Sequence, residues 1–318
     1  MNKQAIRSRN LLAAPTRIEP AFDDAAGIHA LVAKGSPYKT LSAVHRNPEM
    51  TSGGWFRNFW ALGGKVVFEG AEPYFYNSRF IAAAKQSFQA EIIRPVAMMT
   101  NFNLPAPEAP AHLDLPFFRG IQNREVPSWM LAPMGYSNLF HEWAIPVASA
   151  ITWFYEGEGG EFEYWPNGLD GPSLTERPPY TNRSVLADNE YMYHRVGAIG
   201  AREEQKRFEG LDYHATLNLT ASNMWEVREG EQVVEQYAYG QVRLSILWKA
   251  YCFRSQQEAD SYDDHSHDLT ADMVVDIFCQ DLTRRGIAHQ APTDLVGDKA
   301  WHEVITSTYS APQGAAAY

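Results

Sequence analysis

The feature that most constrains the fold is a series of short, strand-like segments that follow one another without intervening helices. They are rich in β-branched and aromatic residues and lie at 92–103, 112–118, 148–155, 161–165, 183–187, 191–196, 213–219, 232–239 and 241–253. Proline and glycine clusters at 105–110 and 157–160 separate some of them and cannot continue a strand. Consecutive strands of this kind predict an antiparallel sandwich or barrel rather than a parallel βαβ sheet.

Helical patterns flank this β region on both sides. Near the N-terminus, Asp23 and Asp24 can cap one helix and Asn77 another, and an aromatic loop is expected between them at 51–60. After the last strand, Asp268 can cap a helix that carries an apolar stripe, and a further helix is expected at 295–305.

No linker separates these parts, so we expect a single domain over 1–318. Its β-core is expected at about 91–254, its helical N-terminal part at 1–90 and its C-terminal helices at 268–306. The predicted class is therefore mainly β with flanking α, with the helices packed outside the strands.

Charge and composition exclude several classes of protein. The formal net charge is −11, whereas a non-specific nucleic-acid binder needs a surplus of cations. No apolar run approaches the roughly 18–20 residues that cross a bilayer, and two cysteines are too few for a disulfide framework. We expect a soluble, cytoplasmic protein that acts on a small molecule and binds neither nucleic acid nor membrane.

The first candidate for chemistry is the pair His112 and Asp114. Residues i and i+2 of a strand project from the same face, so the imidazole and the carboxylate would converge on one point. They would supply two ligands of a two-histidine, one-carboxylate metal site. The pair alone is not diagnostic, because a chain with ten histidines contains such a pair by chance.

Two later segments add what this pair lacks. A strand, a tight turn and a second strand lead to His194, which supplies the second imidazole. Further on, Arg243 and Ser245 again lie two positions apart on a predicted strand. A guanidinium binds a carboxylate through two parallel hydrogen bonds, and a serine hydroxyl adds another donor.

The order His112-x-Asp114, His194, Arg243-x-Ser245 resembles the Fe(II)/2-oxoglutarate-dependent dioxygenase superfamily. The aromatic strand at 151–155 and the glycine turn that follows it are similar to the segment between that family's two metal-binding motifs. The resemblance covers roughly 92–253. It implies a double-stranded β-helix, a cupin-like jelly roll, with the N- and C-terminal helices outside.

The resemblance also implies a role for each residue. His112, Asp114 and His194 would be the catalytic Fe(II) ligands, Arg243 would bind the distal carboxylate of 2-oxoglutarate, and Ser245 would assist. Dioxygen would occupy the remaining iron site, and a ferryl intermediate would hydroxylate or otherwise oxidise a metabolite, in natural-product or amino-acid metabolism. Separately, Asn103 stands on the preceding strand, where its side chain could donate to the cosubstrate or the substrate.

Several alternatives stay open. Arg243 follows His194 by 49 positions, which is longer than the usual family interval, so 201–240 is an insertion that forms a lid or a substrate wall, or His194 is the wrong histidine. The rival is His214, which lies 29 positions before Arg243. The histidines at 265 and 267 are better explained by a polar loop before a helix. Other functional readings are a cupin-like metalloenzyme without 2-oxoglutarate and a non-catalytic β-sandwich binding protein.

Overall fold

The computed structural model describes residues 13–121, 125–205, 211–311 and 315. Its strands are β1 (Thr16–Ile18), β2 (Tyr38–Thr40), β3 (Trp55–Leu62), β4 (Lys65–Val66), β5 (Ile92–Asn103), β6 (Val147–Tyr155), β7 (Phe162–Trp165), β8 (Leu174–Glu176), β9 (Tyr180–Ala187), β10 (Tyr193–Val196), β11 (Thr216–Leu219), β12 (Met224–Glu229), β13 (Gln232–Ala238) and β14 (Arg243–Phe253). Its helices are α1 (Ala25–Gly35), α2 (Leu41–Val44), α3 (Glu72–Phe75), α4 (Ser78–Phe88), α5 (Ser128–Ser137), α6 (Gln256–Asp263), α7 (Ala271–Arg284) and α8 (Lys299–Thr308).

The strands form two antiparallel sheets. The large sheet has the order β1-β9-β6-β14-β5-β3-β2-β11-β12-β13, with β4 paired to β3. The small sheet has the order β10-β7-β8, and the segment 106–112 runs along the free side of β10 through backbone hydrogen bonds.

This strand order defines the fold. The central strands of the large sheet, β5-β14-β6-β9, are the first, eighth, third and sixth of an eight-strand set in chain order. The small sheet supplies the second (106–112), seventh (β10), fourth (β7) and fifth (β8). Alternation of successive strands between two sheets makes this a double-stranded β-helix, as predicted.

The residues of β14 show why the two faces of the large sheet differ. Successive side chains of a strand point to opposite faces. Leu244, Ile246 and Trp248 are buried in the core that the large sheet shares with α1, α3 and α4. Arg243, at one end of the strand, and Lys249 belong to the alternate set, which faces the small sheet. The sequence of β14 therefore places its polar residues between the two sheets.

The flanking helices agree with prediction in part. The Asp24 and Asn77 side chains cap α1 and α4 as expected. The helix expected from Asp268 begins at Ala271 and is capped by Thr270. With α5 and α8, it encloses an apolar core distinct from the one under the large sheet. Within the described part of the chain, no helix is long and apolar enough to cross a membrane.

Some sequence-based expectations were wrong. The N-terminal part contains four short strands besides its helices, and the expected aromatic loop at 51–60 is largely β3, paired with β5. The segment 112–118 makes only isolated bridges instead of a full strand. Residues 1–12 of the N-terminal part lie outside the described residues. The single-domain organisation remains a prediction.

Candidate metal centre

His112, Asp114 and His194 meet between the two sheets. His112 and His194 lie opposite each other on neighbouring strands, and each backbone amide donates to the other's carbonyl at 3.0 Å. Asp114 follows in a loop, where its amide donates to the carbonyl of Asn189 at 2.9 Å. One potential ligand atom from each of the three lies within 4.8 Å of the others. No second cluster of this kind occurs among the described residues.

Backbone carbonyls fix the two imidazole rings. His112 Nδ1 lies 3.1 Å from the Pro110 carbonyl, and His194 Nδ1 lies 3.0 Å from that of Met192. A carbonyl oxygen can only accept, so each Nδ1 carries a hydrogen. Burial, with His112 nearby, lowers the pKa of His194 to about 4, which keeps this ring neutral at neutral pH. Both rings are thereby prepared as metal ligands.

The Asp114 carboxylate is divided between two neighbours. Its Oδ1 lies 3.7 Å from His194 Nε2, whereas its Oδ2 accepts a hydrogen bond from Lys249 Nζ at 2.7 Å. Burial raises the pKa of Asp114, but the charges of Lys249 and His194 more than offset this and lower it to about 2. Asp114 is therefore ionised, with Oδ1 on the side of the imidazoles.

Lys249 and Glu190 are functional neighbours that the sequence interpretation missed. Lys249 Nζ also lies 2.7 Å from Glu190 Oε1, so one buried ammonium bridges two carboxylates. Burial alone would lower the pKa of Lys249, but Asp114 and Glu190 raise it above its ordinary value. The available signal was a lysine in the middle of an apolar strand, since Lys, Glu, Arg and Asp are rarely buried without a partner.

The donor set suits a particular kind of metal. Two imidazole nitrogens and one carboxylate oxygen on one side of an ion match the facial arrangement of non-haem Fe(II) sites, which leaves other coordination positions open. The neutral ring of His194, with its hydrogen on Nδ1, and the ionised Asp114 already have the protonation states that such an ion requires.

Arg243 lies buried on the opposite wall. It is 2% exposed, and its Nε donates to the Gly160 carbonyl at 2.8 Å. Among the described residues, its Nη2 has no hydrogen-bond partner, and neither does the buried indole nitrogen of Trp153. Both residues lie against Tyr180, with the Arg243 Cζ 6.0 Å and the Trp153 ring 5.1 Å from its ring centre. Buried, unpaired donors on two residues that both lie against Tyr180 fit an anionic oxygen group such as a carboxylate.

The other residues predicted for the cosubstrate lie on the same face as Arg243. Asn103 of β5 is directly opposite Arg243, and Ser245 is directly opposite Asn101. Side chains of directly opposed residues project to the same side of a sheet. The structure thus places Ser245 and Asn103 beside Arg243, between the sheets.

The rival histidine does not join the cluster. The side chain of His214 is exposed, and its backbone amide donates to Asp212 at 2.7 Å. His265 is also exposed and pairs with Asp268 before α7. The insertion at 201–240 contributes β11, β12 and β13, which extend the large sheet beyond β2; residues 206–210 within it lie outside the described part.

Comparisons with known proteins give only distant similarities. No protein-family model and no curated protein matches the chain. A 2OG-Fe(II) oxygenase family oxidoreductase from Burkholderia pseudomallei is 13% identical with a TM-score of 0.42, over 74% of this chain and 84% of that one. A prolyl hydroxylase from Trichoplax adhaerens, bound to a hypoxia inducible factor peptide fragment, is 11% identical with a TM-score of 0.41, over 78% and 86%.

A third structure, HygX from Streptomyces hygroscopicus, contains nickel, 2-oxoglutarate and hygromycin B. It is 10% identical with a TM-score of 0.39, over 76% of this chain and 84% of that chain. Identities and TM-scores this low assign no function. The functional assignment therefore depends on the strand order and on the site itself.

Proposed function

We propose that the protein is an Fe(II)- and 2-oxoglutarate-dependent oxygenase that hydroxylates or otherwise oxidises a small molecule. The observation that carries the proposal is the pairing of two features across one interior. His112, Asp114 and His194 present their ligand atoms together, and buried Arg243 presents an unpaired nitrogen from the facing sheet.

The chain's own residues have distinct tasks in this proposal. The three ligands hold Fe(II), Arg243 binds the distal carboxylate of 2-oxoglutarate, and Ser245 and Asn103 orient that end of the cosubstrate. The iron and 2-oxoglutarate, with dioxygen, supply the oxidising chemistry when bound. The buried walls formed by Trp153 and Tyr180 keep water away from the cosubstrate carboxylate, which strengthens its pairing with Arg243.

The direct test is succinate formation from 2-oxoglutarate by protein supplied with Fe(II) and ascorbate. We expect His112→Ala and His194→Ala to abolish it, and Arg243→Gln to raise the 2-oxoglutarate concentration required. His214→Ala is the matched control and should leave the rate unchanged. Turnover that needs iron but not 2-oxoglutarate, with Arg243→Gln neutral, would instead favour a metalloenzyme of another type.

A further inference from the structure

Three cationic side chains on the described strands β3 and β14 face the small sheet, and two of them already have a role. Lys249 is neutralised by Asp114 and Glu190, and Arg243 is assigned above to the cosubstrate. The third is Arg57 of β3. It lies directly opposite Asn101 of β5, which in turn lies opposite Ser245 of β14. Arg57 therefore projects from the same face of the large sheet as Ser245 and Arg243.

Neutral groups hold the Arg57 guanidinium in place. Its Nε donates to Asn101 Oδ1 at 2.7 Å, its Nη1 lies 3.2 Å from His45 Nε2, and its Cζ lies 5.4 Å from the centre of the Trp55 ring. A guanidinium has five N–H donors, and these two hydrogen bonds leave three of them unused. Burial lowers the pKa of Arg57 to about 10, so the group stays charged at neutral pH.

No anion of the described chain neutralises this cation. Arg57 is only partly exposed to water, and none of the ion pairs between described residues includes it. A cation that has lost part of its hydration is normally paired. Asp114 is close enough to influence the pKa of Arg57, but its two oxygens face His194 and Lys249. The positive charge of Arg57 therefore has no counter-charge among the described residues, which leaves it available to an anionic group of a ligand.

An apolar row separates Arg57 from the end of the site where Asp114 lies. Phe59, Met99, Leu247 and Ile151 oppose one another across β3, β5, β14 and β6. On its own strand, each of these residues is two positions from Arg57, Asn101, Ser245 or Trp153, on the side toward Lys249. Lys249, which holds Asp114, comes two positions beyond Leu247. Phe59, Leu247 and Ile151 remain partly exposed, as expected for the wall of a binding cavity.

We propose that Arg57 binds the carboxylate of the primary substrate, a carboxylic acid whose apolar body lies over Phe59, Met99 and Leu247 and extends toward Asp114. This inference rests on the proposed function for the identity of the reaction. The binding preference itself is a property of Arg57 and the apolar row.

Ligand-observed NMR on protein with Zn(II) and excess 2-oxoglutarate tests the preference without turnover. The probes are straight-chain alkanoic and phenylalkanoic acids, each paired with its primary amide. We expect acids to bind at least about tenfold more tightly than their amides, as for a hydrogen bond to a charged group. Arg57→Gln should remove this preference, and Arg57→Lys should retain part of it.

Arg94→Gln is the matched control, because Arg94 belongs to β5 but pairs with Asp263 at the surface. It should keep the full preference for acids. Equal binding of acids and amides by the unaltered protein, no binding of any acid, or a preference that survives Arg57→Gln would each overturn the inference. A raised 2-oxoglutarate KM in Arg57→Gln would also overturn it, since Arg57 would then serve the cosubstrate.

The proposed function and this inference can fail separately. If acids bind as expected but no succinate forms with Fe(II), the oxygenase proposal fails and the carboxylate site stands. If succinate forms but only neutral compounds bind and stimulate it, the oxygenase proposal stands and the role of Arg57 is wrong.

Discussion

Lys249 shows how one buried side chain sets the charge of the whole centre. It lies between the carboxyl groups of Asp114 and Glu190. Burial raises the pKa of Glu190 to about 7, and its second oxygen has no hydrogen-bond partner among the described residues. Without a metal ion, the ammonium of Lys249 offsets the free-energy cost of burying these acidic groups. A divalent ion at the three ligands would share that task, so lysine and metal act on the same carboxylate.

We therefore predict that Lys249→Met destabilises the metal-free protein by about 3–5 kcal/mol, the range for breaking a buried ion pair. Added Mn(II) should recover more stability in this variant than in the unaltered protein, because the metal then becomes the main counter-charge for Asp114. Thermal unfolding with and without Mn(II) measures both effects. Lys39→Met, at an exposed lysine of β2, is the control. A Lys249→Met protein as stable as the unaltered one without metal would contradict the prediction.

At the scale of the element, the turn before β7 holds Arg243 in position. Gly160 has a φ of +72°, and a Cβ atom there would lie 2.9 Å from Arg243 Cδ and 3.1 Å from Tyr155 Cε1. Its carbonyl also accepts the hydrogen bond from Arg243 Nε. The turn therefore needs a residue that tolerates positive φ and carries no side chain.

We predict that Gly160→Ala raises the 2-oxoglutarate KM, since the added methyl group displaces Arg243. The control is Gly230→Ala, at φ +61° with no atom within 4 Å of the added Cβ. Both variants should lose about 1–2 kcal/mol of stability from the left-handed backbone, but only the first should alter the KM. Steady-state kinetics and denaturant unfolding separate the two effects, and an unchanged KM in Gly160→Ala would count against this role for the turn.

The C-terminal helices depend on another buried carboxylate. Asp281 of α7 is 3% exposed and accepts hydrogen bonds from Tyr309, Arg284 and Arg285. Burial raises the pKa of Asp281, but these partners outweigh burial and the net shift is downward. A lowered pKa in the folded state means that this group contributes stability above its unfolded pKa. That contribution is lost as the pH falls through the folded value.

We accordingly predict that Asp281→Asn lowers the free energy of unfolding at neutral pH by about 1–3 kcal/mol. The difference in unfolding free energy between the variant and the unaltered protein should shrink as the solution is made acidic. At low pH Asp281 is protonated in the folded state as well as in the unfolded state, so the unaltered protein loses the contribution of the carboxylate. Asp276→Asn, at an exposed position of the same helix, should change little. Unfolding curves across the acidic range give the answer, and a difference that grows with acidity would refute it.

At the scale of the whole molecule, the candidate metal centre lies on the small sheet and on the loop that follows the segment 106–112. We expect Zn(II) to slow amide hydrogen exchange at His112 and His194, whose amides bond each other's carbonyls, because binding stabilises the native state relative to locally open ones. The distant β11–β12 pair should show a smaller change. Asp114→Asn should weaken the effect, and equal protection of all strands would contradict a local site.

The parts of this structure that could be predicted are those that depend on residues close together in the sequence. The alternation along β14 places polar groups between the sheets without knowledge of the topology. The i, i+2 spacing identified His112 and Asp114 as a pair, although Asp114 lies in a loop and not on a strand. β3 escaped prediction because a register shift between Phe59 and Ala61 interrupts its alternation. Similarly, α5 was missed because it contains Pro133 and its N-cap makes no side-chain hydrogen bond.

The roles of Lys249 and Arg57 could not be predicted in the same way. The hydrogen bond from Lys249 to Asp114 joins residues 135 positions apart, and Arg57 acquires its setting from the register of β3 against β5. Such partnerships exist only after the sheets have formed. The sequence shows that these side chains are charged, whereas their partners depend on which strands are neighbours in the folded sheets.

The mutual backbone bridge of His112 and His194 has one further consequence. Because side chains alternate along a strand, a slip of one residue in this pairing would turn one imidazole to the far side of the sheet. All three ligand residues would still be present, yet the centre would be gone. A divalent ion bound by these residues would therefore stabilise only chains in which the two segments are paired in the correct register.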